Sequence, residues 1–289
     1  MAVSYDLIKA VSAKLYNDSL RKIPEDTKAK LREAQESESN DTAKNTIKVM
    51  LESAEAAEKA NFFVCSDSGV PVYSVKIGTR VQFGGDVRQA FTDGFDELCK
   101  TIDPPLLQHV TNPMTLERGY KGKDMPIVTF DVLDGADYME ITCSPKALGS
   151  GRWADMEIFT FPTQAQIEDY VMKVVKQAGS QHCPPVVIGI GIGGTSDYCT
   201  KMAKEAMLRP FGQPHPEKMV ADMEQRLLEA VNKTGFGPMG TGGDNTAMAV
   251  HINYASGHGF TPVAVEFNCW INRRKRARLY NDGRVEYGE

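Results

Sequence analysis

Residues 181–206 read QHCPPVVIGIGIGGTSDYCTKMAKEA, and this stretch indicates the fold class of the chain. The apolar run VVIGIGI predicts a buried strand, the glycines predict a tight turn, and the segment after them predicts a helix. A strand that turns into a helix is typical of α/β proteins. Because Gly189, Gly191 and Gly194 also satisfy G-x-G-x-x-G, the stretch raises the question of a dinucleotide site.

The residues downstream do not support a dinucleotide site. Such a site needs an acidic residue at the end of a second parallel strand, about 20 residues further on. Here that region reads RPFGQPHPEK, whose prolines disfavour a strand and leave Glu217 at a helix start. A nicotinamide-binding oxidoreductase therefore stays an alternative, which cofactor titration would test. The exposed N–H groups of such a turn favour an anion, and a carboxylate serves as well as a phosphate.

The remaining sequence predicts a mixed architecture. Residues 1–62 have helical periodicity, whereas residues 63–289 alternate between strand and helix patterns. We therefore expect an α/β (mixed α+β) fold with an N-terminal helical segment (1–62) and a mixed-sheet domain (63–289), in one continuous structural unit. The predicted strands include Phe62–Cys65, Val70–Ile77, Ile127–Leu133, Tyr138–Pro145, Glu157–Phe161, Ala247–Tyr254 and Val263–Phe267, and the predicted helices include Asp86–Lys100, Thr163–Gly179 and Glu217–Lys233.

Composition excludes several classes of protein. Hydrophobic residues are 42% and charged residues 25% of the 289, as in globular proteins with a buried core. No apolar run reaches the ~18 residues of a membrane span, and charges interrupt the N-terminus where a secretory leader would be apolar. We expect a cytoplasmic protein.

The net charge of −5 disfavours binding to nucleic acid, and the basic run RRKRAR (273–278) is interpreted as a solvated or partner-facing edge. A subunit that binds nucleic acid through this run is an alternative, which salt-sensitive binding would support.

The six cysteines fall into two groups. None forms C-x-x-C, and disulfides are not expected in a cytosolic chain. Three lie inside helix or strand patterns and are expected to be packed thiols: Cys99, Cys143 and Cys199. The other three lie at the edges of predicted strands beside turns, where a packed thiol and a metal ligand are equally compatible with the pattern: Cys65, Cys183 and Cys269.

Four long motifs contain or flank these three cysteines. They are SESN (37–40) before a helix and then CSDSG (65–69), HCPPVVIGIGIGGTSDYCTKMAKEAM (182–207), GFGPMGTGGDNTAMAVHI (235–252) and PVAVEFNCWINRR (262–274). In this order they resemble the alpha subunit of the iron–sulfur hydro-lyases, the class I fumarase and L(+)-tartrate dehydratase family. The resemblance covers essentially the whole chain.

The resemblance implies that Cys65, Cys183 and Cys269 bind a [4Fe–4S] cluster. Three protein ligands leave one iron with an open position, and that iron can act as a Lewis acid toward a hydroxyl and a carboxylate. An iron–sulfur sensor or electron-transfer protein is the alternative. It would need a fourth ligand from Cys143 or Cys199.

The implied reaction is reversible dehydration of a short hydroxydicarboxylic acid, such as malate/fumarate or tartrate. The chain resembles only the cluster-binding half of the family. A beta subunit would supply much of the substrate site and the base, so we expect a hetero-oligomer whose alpha chain is inactive alone.

The resemblance also implies roles for individual residues. Asp67 matches the acid after the first cluster cysteine and would hydrogen-bond substrate, and His258 lies near a family histidine that would move a proton. The implied substrate-binding residues are Ser66, Lys146, Gly149, Ser150 and Arg152.

Several positions depart from the family pattern. Ser66 replaces a glutamine, Leu107 replaces a carboxylate-binding arginine, and LERGYKGKD replaces the R-E-N-T-G-D-N region. The S-E-N part of the glycine loop becomes Ser150, Gly151 and Arg152. Loss of a bidentate arginine is not conservative where a carboxylate must be fixed. Arg152 or Lys123 could compensate, or the substrate could be a less usual hydroxy acid that lacks the second carboxylate.

Overall fold

Three helices occupy the N-terminal part of the chain, as the sequence predicts. Ser4 begins the first by accepting a hydrogen bond from the Leu7 N–H. In chain order the helices are α1 (Tyr5–Arg21), α2 (Glu25–Ser37), α3 (Asp41–Lys59), α4 (Val87–Thr101), α5 (Leu148–Gly151), α6 (Gln164–Ala178), α7 (Ser196–Ala206) and α8 (Lys218–Asn232). The strands are β1 (Val3–Ser4), β2 (Val72–Gly78), β3 (Phe83–Gly84), β4 (Val110–Thr111), β5 (Arg118–Gly119), β6 (Ile127–Leu133), β7 (Tyr138–Cys143), β8 (Asp155–Thr160), β9 (Val186–Gly193), β10 (Ala247–Ala255), β11 (Phe260–Asn268), β12 (Lys275–Tyr280) and β13 (Val285–Gly288).

The computed structural model describes residues 2–288, and these form two units, each built from separate stretches of the chain. Unit 1 comprises Met1–Pro24, Ala54–Ala147 and Arg273–Glu289, and unit 2 comprises Glu25–Ser53 and Leu148–Asn272. The mixture of helices and strands confirms the predicted α/β class. The predicted division into a helical segment (1–62) and a mixed-sheet domain (63–289) stays a prediction. No helix of residues 2–288 is long and apolar enough to cross a membrane.

The sheet of unit 1 has five strands in the order β13-β12-β7-β2-β6. Strand β2 pairs in parallel with β6 and antiparallel with β7, and β12 is antiparallel to both of its neighbours. Helix α1 packs on α4 and contacts β7 and β12. The two helices bury the apolar face of the sheet in one core, which includes Leu15, Tyr73, Phe91, Met139, Ile141 and Leu279.

Two predictions for unit 1 fail because strand pairing is not local. Residues 62–65, predicted as a strand, form a bend between α3 and β2. The sequence DGAD (134–137) between the predicted strands Ile127–Leu133 and Tyr138–Pro145 is a turn signal that favours a pair of strands around it. Both strands exist as β6 and β7, but β2 lies between them in the sheet. A turn signal in the sequence therefore does not establish that its flanking strands pair with each other.

The prediction that RRKRAR forms a solvated edge is also wrong, whereas a partner-facing role stays a prediction. Residues 275–278 belong to β12, an interior strand, and Arg273 and Arg274 just before it are 4% and 3% exposed. Ala277 is buried in the core, while Arg278 pairs with Glu140 of β7 at 2.8 Å. In this strand Arg276 and Arg278 flank the buried Ala277, and Glu140 on the neighbouring strand neutralises the charge of Arg278.

The sheet of unit 2 has the order β10-β9-β11-β8, with β9 parallel to β10 and antiparallel to β11. Alternation along β9 gives its two faces different partners. Ile188 and Ile190 join the core formed with α6 and α8. Val187 joins the core formed with α2 and α3. Helix α6, predicted from the sequence, begins with a capping box between Thr163 and Gln166.

The glycines of β9 allow α7 to pack directly on the strand. A methyl group on Gly189 would lie 2.1 Å from the Ala203 carbonyl oxygen, and one on Gly191 would lie 2.0 Å from the Cys199 carbonyl oxygen. Real Cβ atoms essentially never approach this closely. Helix packing is therefore a sufficient reason for these two glycines, and a dinucleotide is not needed to explain them.

A buried carboxylate connects two of the quoted motifs within unit 2. Glu38 of SESN is 4% exposed and accepts hydrogen bonds from the Asp244 N–H at 2.9 and 3.0 Å and from Asn245 Nδ2 at 2.8 Å. Asp244 in turn accepts from the Ser39 N–H at 3.0 Å, and the bonds from Ser39 lower the pKa of the Asp244 carboxyl. The glycine-rich loop 235–243 is thereby anchored to the turn between α2 and α3.

Gly191→Ala tests the packing of α7 on β9. We expect the free energy of unfolding to fall by about 3 kcal/mol, because the added methyl must displace helix backbone. Urea unfolding followed by circular dichroism measures it. Gly119→Ala is the control, since its nearest heavy atom would lie 3.7 Å away. Equal losses in the two variants would contradict the packing argument.

Glu38→Gln tests the buried carboxylate. The amide presents a donor where backbone and side-chain N–H groups already point, so we expect a loss of about 2 kcal/mol in the free energy of unfolding. The exposed Glu36→Gln, two residues earlier at the end of α2, is the matched control. A result in which Glu38→Gln unfolds like Glu36→Gln would rule out this anchoring role.

Candidate functional site

Unit 2 brings the segments of two predicted cluster ligands together. Cys183 precedes β9 and Cys269 follows β11, and the two strands are antiparallel with Val187 opposite Asn268. The beginning of β9 therefore lies beside the end of β11. The Trp270 N–H donates a hydrogen bond to the Cys183 carbonyl oxygen at 3.1 Å. Both cysteines are partly exposed, as a ligand for an added group requires.

The predicted glycine loop contributes one contact to this place. Gly149 lies in α5, and a methyl group there would lie 3.7 Å from Cys183 Sγ. The Gly149 backbone therefore borders the sulfur. Ser150 is buried, whereas the exposed Arg152 holds its guanidinium over the Trp153 ring, 5.2 Å from the centroid.

His182, next to Cys183, was missed by the sequence analysis. Its side chain is fully buried and stacks on Phe267 with ring centroids 4.9 Å apart. Neither ring nitrogen has a hydrogen-bond partner among residues 2–288. Burial lowers the pKa of this imidazole to about 4, so it is neutral at physiological pH. A polar side chain without a protein partner beside Cys183 fits the neighbourhood of a bound polar group.

Unit 1 contains the third predicted ligand in a tightly held turn. Asp67 follows Cys65 by two residues, and its Oδ1 accepts a hydrogen bond from the Gly69 N–H at 3.0 Å. The buried Arg273 donates from Nη1 to the carbonyl oxygens of Asp67 and Ser68, at 2.9 and 3.3 Å. Arg273 is the first of the two arginines in the CWINRR motif, but nothing in the sequence indicated that it holds this turn.

Lys146 lies alongside the same turn. It exchanges two backbone hydrogen bonds with Val70, each 3.0 Å long. Ser66 is exposed on the turn. Unit 1 thus brings together Ser66, Asp67 and the backbone of Lys146. The resemblance implies that all three of these residues contact the substrate.

His109 is a second residue that the sequence analysis missed. Its Nε2 lies 3.2 Å from Asp67 Oδ1, and the two side chains are 35% and 27% exposed. The signal was its place in PPLLQHV, two residues after the departure at Leu107. Leu107 is 50% exposed and Lys123 is exposed, and compensation by Lys123 for the missing arginine stays a prediction.

His258 is not brought to the cysteines of unit 2. It is exposed in the turn between β10 and β11, and its ring stacks on Phe260 at 4.7 Å. Cys269 follows the other end of β11. This strand has nine residues, which at ~3.4 Å each separates His258 from Cys269 by roughly 30 Å.

The three remaining cysteines have the character predicted for packed thiols. Cys199 Sγ lies 3.1 Å from the Gly191 carbonyl oxygen and 3.3 Å from that of Pro262, and burial raises its pKa to about 11. Burial also raises the pKa of Cys99 to about 11 and that of Cys143 well above its usual range. Each of these thiols is therefore harder to ionise than a free cysteine, and Cys143 and Cys199 are buried.

The donor set fits an iron–sulfur cluster in chemical type. Thiolate sulfur is the usual ligand of such clusters. One of the three cysteines belongs to unit 1 and two to unit 2. Among residues 2–288, no group of three or more His, Cys, Asp or Glu side chains is arranged to hold a metal ion. The fit of these cysteines to a cluster therefore rests on three observations: their residue type, their partial exposure, and the hydrogen bond that joins Trp270 to Cys183.

Comparison with known proteins finds a family and several relatives of the same enzyme class. The sequence model described as fumarate hydratase (Fumerase) matches residues 9–278. A Methanocaldococcus jannaschii protein with the provisional name L(+)-tartrate dehydratase subunit alpha is 34% identical over 284 residues, which cover 96% of this chain and 99% of the relative. The L(+)-tartrate dehydratase alpha subunits of Escherichia coli strains UTI89 and K12 are 28% and 27% identical over 266 residues, covering 90% of this chain and 87% of theirs.

The family match spans both units, and the relative from Methanocaldococcus jannaschii aligns over nearly its whole length. Agreement over this extent cannot come from one short motif. The chain belongs to the fumarate hydratase (Fumerase) family of hydro-lyases.

Proposed function

We propose that this chain is the cluster-binding alpha subunit of a hydro-lyase for a short hydroxydicarboxylic acid, of the malate/fumarate or tartrate type. Cys65, Cys183 and Cys269 would bind a [4Fe–4S] cluster. The observation that carries the proposal is the hydrogen bond from the Trp270 N–H to the Cys183 carbonyl, because it joins the segments of two ligands that lie far apart in the sequence. Family membership supports the reaction class.

The chain's own residues would prepare the substrate for loss of water. When bound, the cluster supplies a Lewis-acidic iron, since three cysteine ligands leave one position open. Asp67 would hydrogen-bond the substrate hydroxyl, and Arg273 keeps the Asp67 turn in place. The Gly149 backbone borders Cys183 and would meet a substrate carboxylate through an N–H group. His258 has no part in this proposal, because β11 separates it from Cys269.

A beta subunit would complete the enzyme. The relatives are named as alpha subunits, which implies a partner chain in those proteins. Leu107 supports the same view for this chain, because an exposed leucine cannot bind the carboxylate that an arginine would fix. Cationic groups for the second carboxylate would then come from the partner. The alternative is a hydroxy acid without that carboxylate.

Cysteine variants test the cluster ligands. In the complex of this chain with its beta-type partner, prepared anaerobically, Cys65→Ser, Cys183→Ser and Cys269→Ser should each lose the broad visible absorbance and most of the bound iron. Serine is a poor ligand for an iron–sulfur cluster. Cys99→Ser is the matched control and should keep both.

The same experiment distinguishes an electron-transfer protein. That alternative needs a fourth ligand, so Cys143→Ser or Cys199→Ser would also remove the absorbance. We expect both to keep it, because their thiols are buried and protonated. Circular dichroism establishes that each variant is folded. Loss of the cluster in a folded Cys143→Ser or Cys199→Ser variant would contradict the hydro-lyase proposal.

Activity measurements test the reaction and the need for a partner. The complex should dehydrate at least one member of a panel containing malate, L(+)-tartrate and related hydroxy acids, whereas the alpha chain alone should not. An iron with an open position is oxygen-labile, so activity should decay in air and return with ferrous iron and a reductant. Activity that is stable in air and survives chelation would argue decisively against this mechanism.

A further inference from the structure

Strand β8 lies at the end of the sheet of unit 2, and among residues 2–288 it pairs only with β11. All of its residues except Phe159 are exposed, and its register with β11 runs without a bulge. The unpaired side of such a strand presents a row of backbone N–H and C=O groups, to which another strand can add.

One hydrogen bond shows which residues of β8 face the open side. The Phe161 N–H donates to the Gly259 carbonyl at 2.7 Å, and these two residues continue the register of β8 with β11. Hydrogen-bonded and non-hydrogen-bonded pairs alternate along an antiparallel ladder. The odd-numbered residues of β8 therefore direct their backbone groups at β11. The even-numbered residues direct theirs at the open side: Met156, Ile158 and Thr160.

The side chains of these even-numbered residues lie on the face of the sheet that carries α7. Met156 is opposite Ala264 of β11, which belongs to a buried cluster with α7. Met156 is exposed, and Ile158 is 54% exposed. Phe260, opposite Thr160, adds another exposed apolar side chain on this face. Unpaired backbone groups and exposed apolar side chains therefore coincide at one edge.

A second copy of β8, running antiparallel, is complementary to this edge. When Ile158 lies opposite Ile158 of the second copy, Met156 lies opposite Thr160 of that copy, and Thr160 opposite its Met156. Each of these pairs joins residues whose backbone groups face the open side, so the arrangement gives about six hydrogen bonds within the strands. Moving the register by two residues, the smallest shift that keeps the faces, leaves about four.

The charges of β8 are complementary to its reversed copy in the same register. The charged residues of the strand are Asp155 and Glu157. In the register centred on Ile158, Glu157 lies opposite Phe159 of the second copy, and Asp155 lies opposite its Phe161. One of the two neighbouring registers would place Glu157 opposite Glu157, which is destabilising. Hydrogen bonds, apolar contact and charge therefore favour one and the same pairing.

We propose that two copies of this chain associate through β8, with the twofold axis at Ile158. The two sheets of unit 2 then form one continuous sheet. Helix α7 of each copy lies on the same face of that sheet, and the exposed apolar side chains of Met156, Ile158 and Phe260 lie between the two helices. The contact is isologous, the kind that closes into a dimer. This inference goes beyond the proposed reaction, because it gives the assembly two alpha chains.

The test uses Ile158→Lys and Ile158→Glu in the full alpha chain, with sedimentation velocity as the measurement and circular dichroism to establish folding. The unaltered chain should sediment as a dimer. Each variant should raise the dimer dissociation constant at least about 100-fold, because like charges meet across the axis and apolar contact is lost. An equimolar mixture of the two variants should recover most of the dimer, since opposite charges then meet.

Val132→Lys is the matched control. Val132 is an exposed β-branched residue on β6, the edge strand of the other sheet, so this variant should remain dimeric. An unaltered chain that stays monomeric up to about 100 μM would overturn the proposal. So would dimers of Ile158→Lys as stable as the unaltered ones, no recovery in the mixture, or an equal loss in Val132→Lys.

A binding measurement with the beta-type partner separates the two possible occupants of β8. Ile158→Lys should bind this partner as the unaltered chain does. A variant that still forms alpha dimers but loses the partner would assign β8 to the beta subunit and contradict the proposal. None of these measurements depends on the cluster or on activity, so a failure here is distinct from a failure of the proposed function.

Discussion

The antiparallel pairing of β9 with β11 is the constraint on which the arrangement of unit 2 depends. The register places Val187 opposite Asn268, so the residues before one strand and after the other must be neighbours. Cys183 and Cys269 occupy those two positions. A shift of one residue would exchange the faces of β9 and turn Ile188 and Ile190 toward α7, where only glycine leaves room for the helix backbone. The burial of Ile188 and Ile190 on one face, with glycine on the other, therefore also fixes where the cysteines lie.

Unit 1 uses a different device to hold its part of the candidate site. Strand β2 begins only at Val72, so the Cys65–Gly69 turn lies outside the sheet and has no strand pairing to support it. A buried guanidinium instead donates to two consecutive carbonyl oxygens, and the Asp67 side chain closes the turn onto the Gly69 N–H. Burying Arg273 without an acceptor would be costly, so the carbonyls of the turn and the arginine stabilise each other. A rigid turn of this kind can present a carboxylate and an imidazole in a fixed geometry.

The sequence predicted what depends on neighbours along the chain. Helix caps such as Thr163 with Gln166, and the apolar run before the glycines, correspond to α6 and β9 in the structure. What depends on distant segments was not predictable in this way. RRKRAR has a composition typical of a surface, yet it forms an interior strand because Ala277 and Leu279 alternate with the arginines and β7 provides Glu140. His109 and Arg273 meet Asp67 across long stretches of chain, and no local pattern records such contacts.

The replacement at Leu107 and the pairing at His109 belong to one short loop, and together they change its chemistry. A leucine that is half exposed contributes no charge, and the histidine two residues later is already committed to a carboxylate of the same unit. The loop therefore no longer offers the arginine that would fix a substrate carboxylate. The charge that positions the substrate carboxylates must then come from elsewhere, and a partner subunit with arginine or lysine at the substrate site would supply it. Such a division of labour would make catalysis depend on assembly, because neither chain alone would hold both the reacting C–H bond and the carboxylates that orient it.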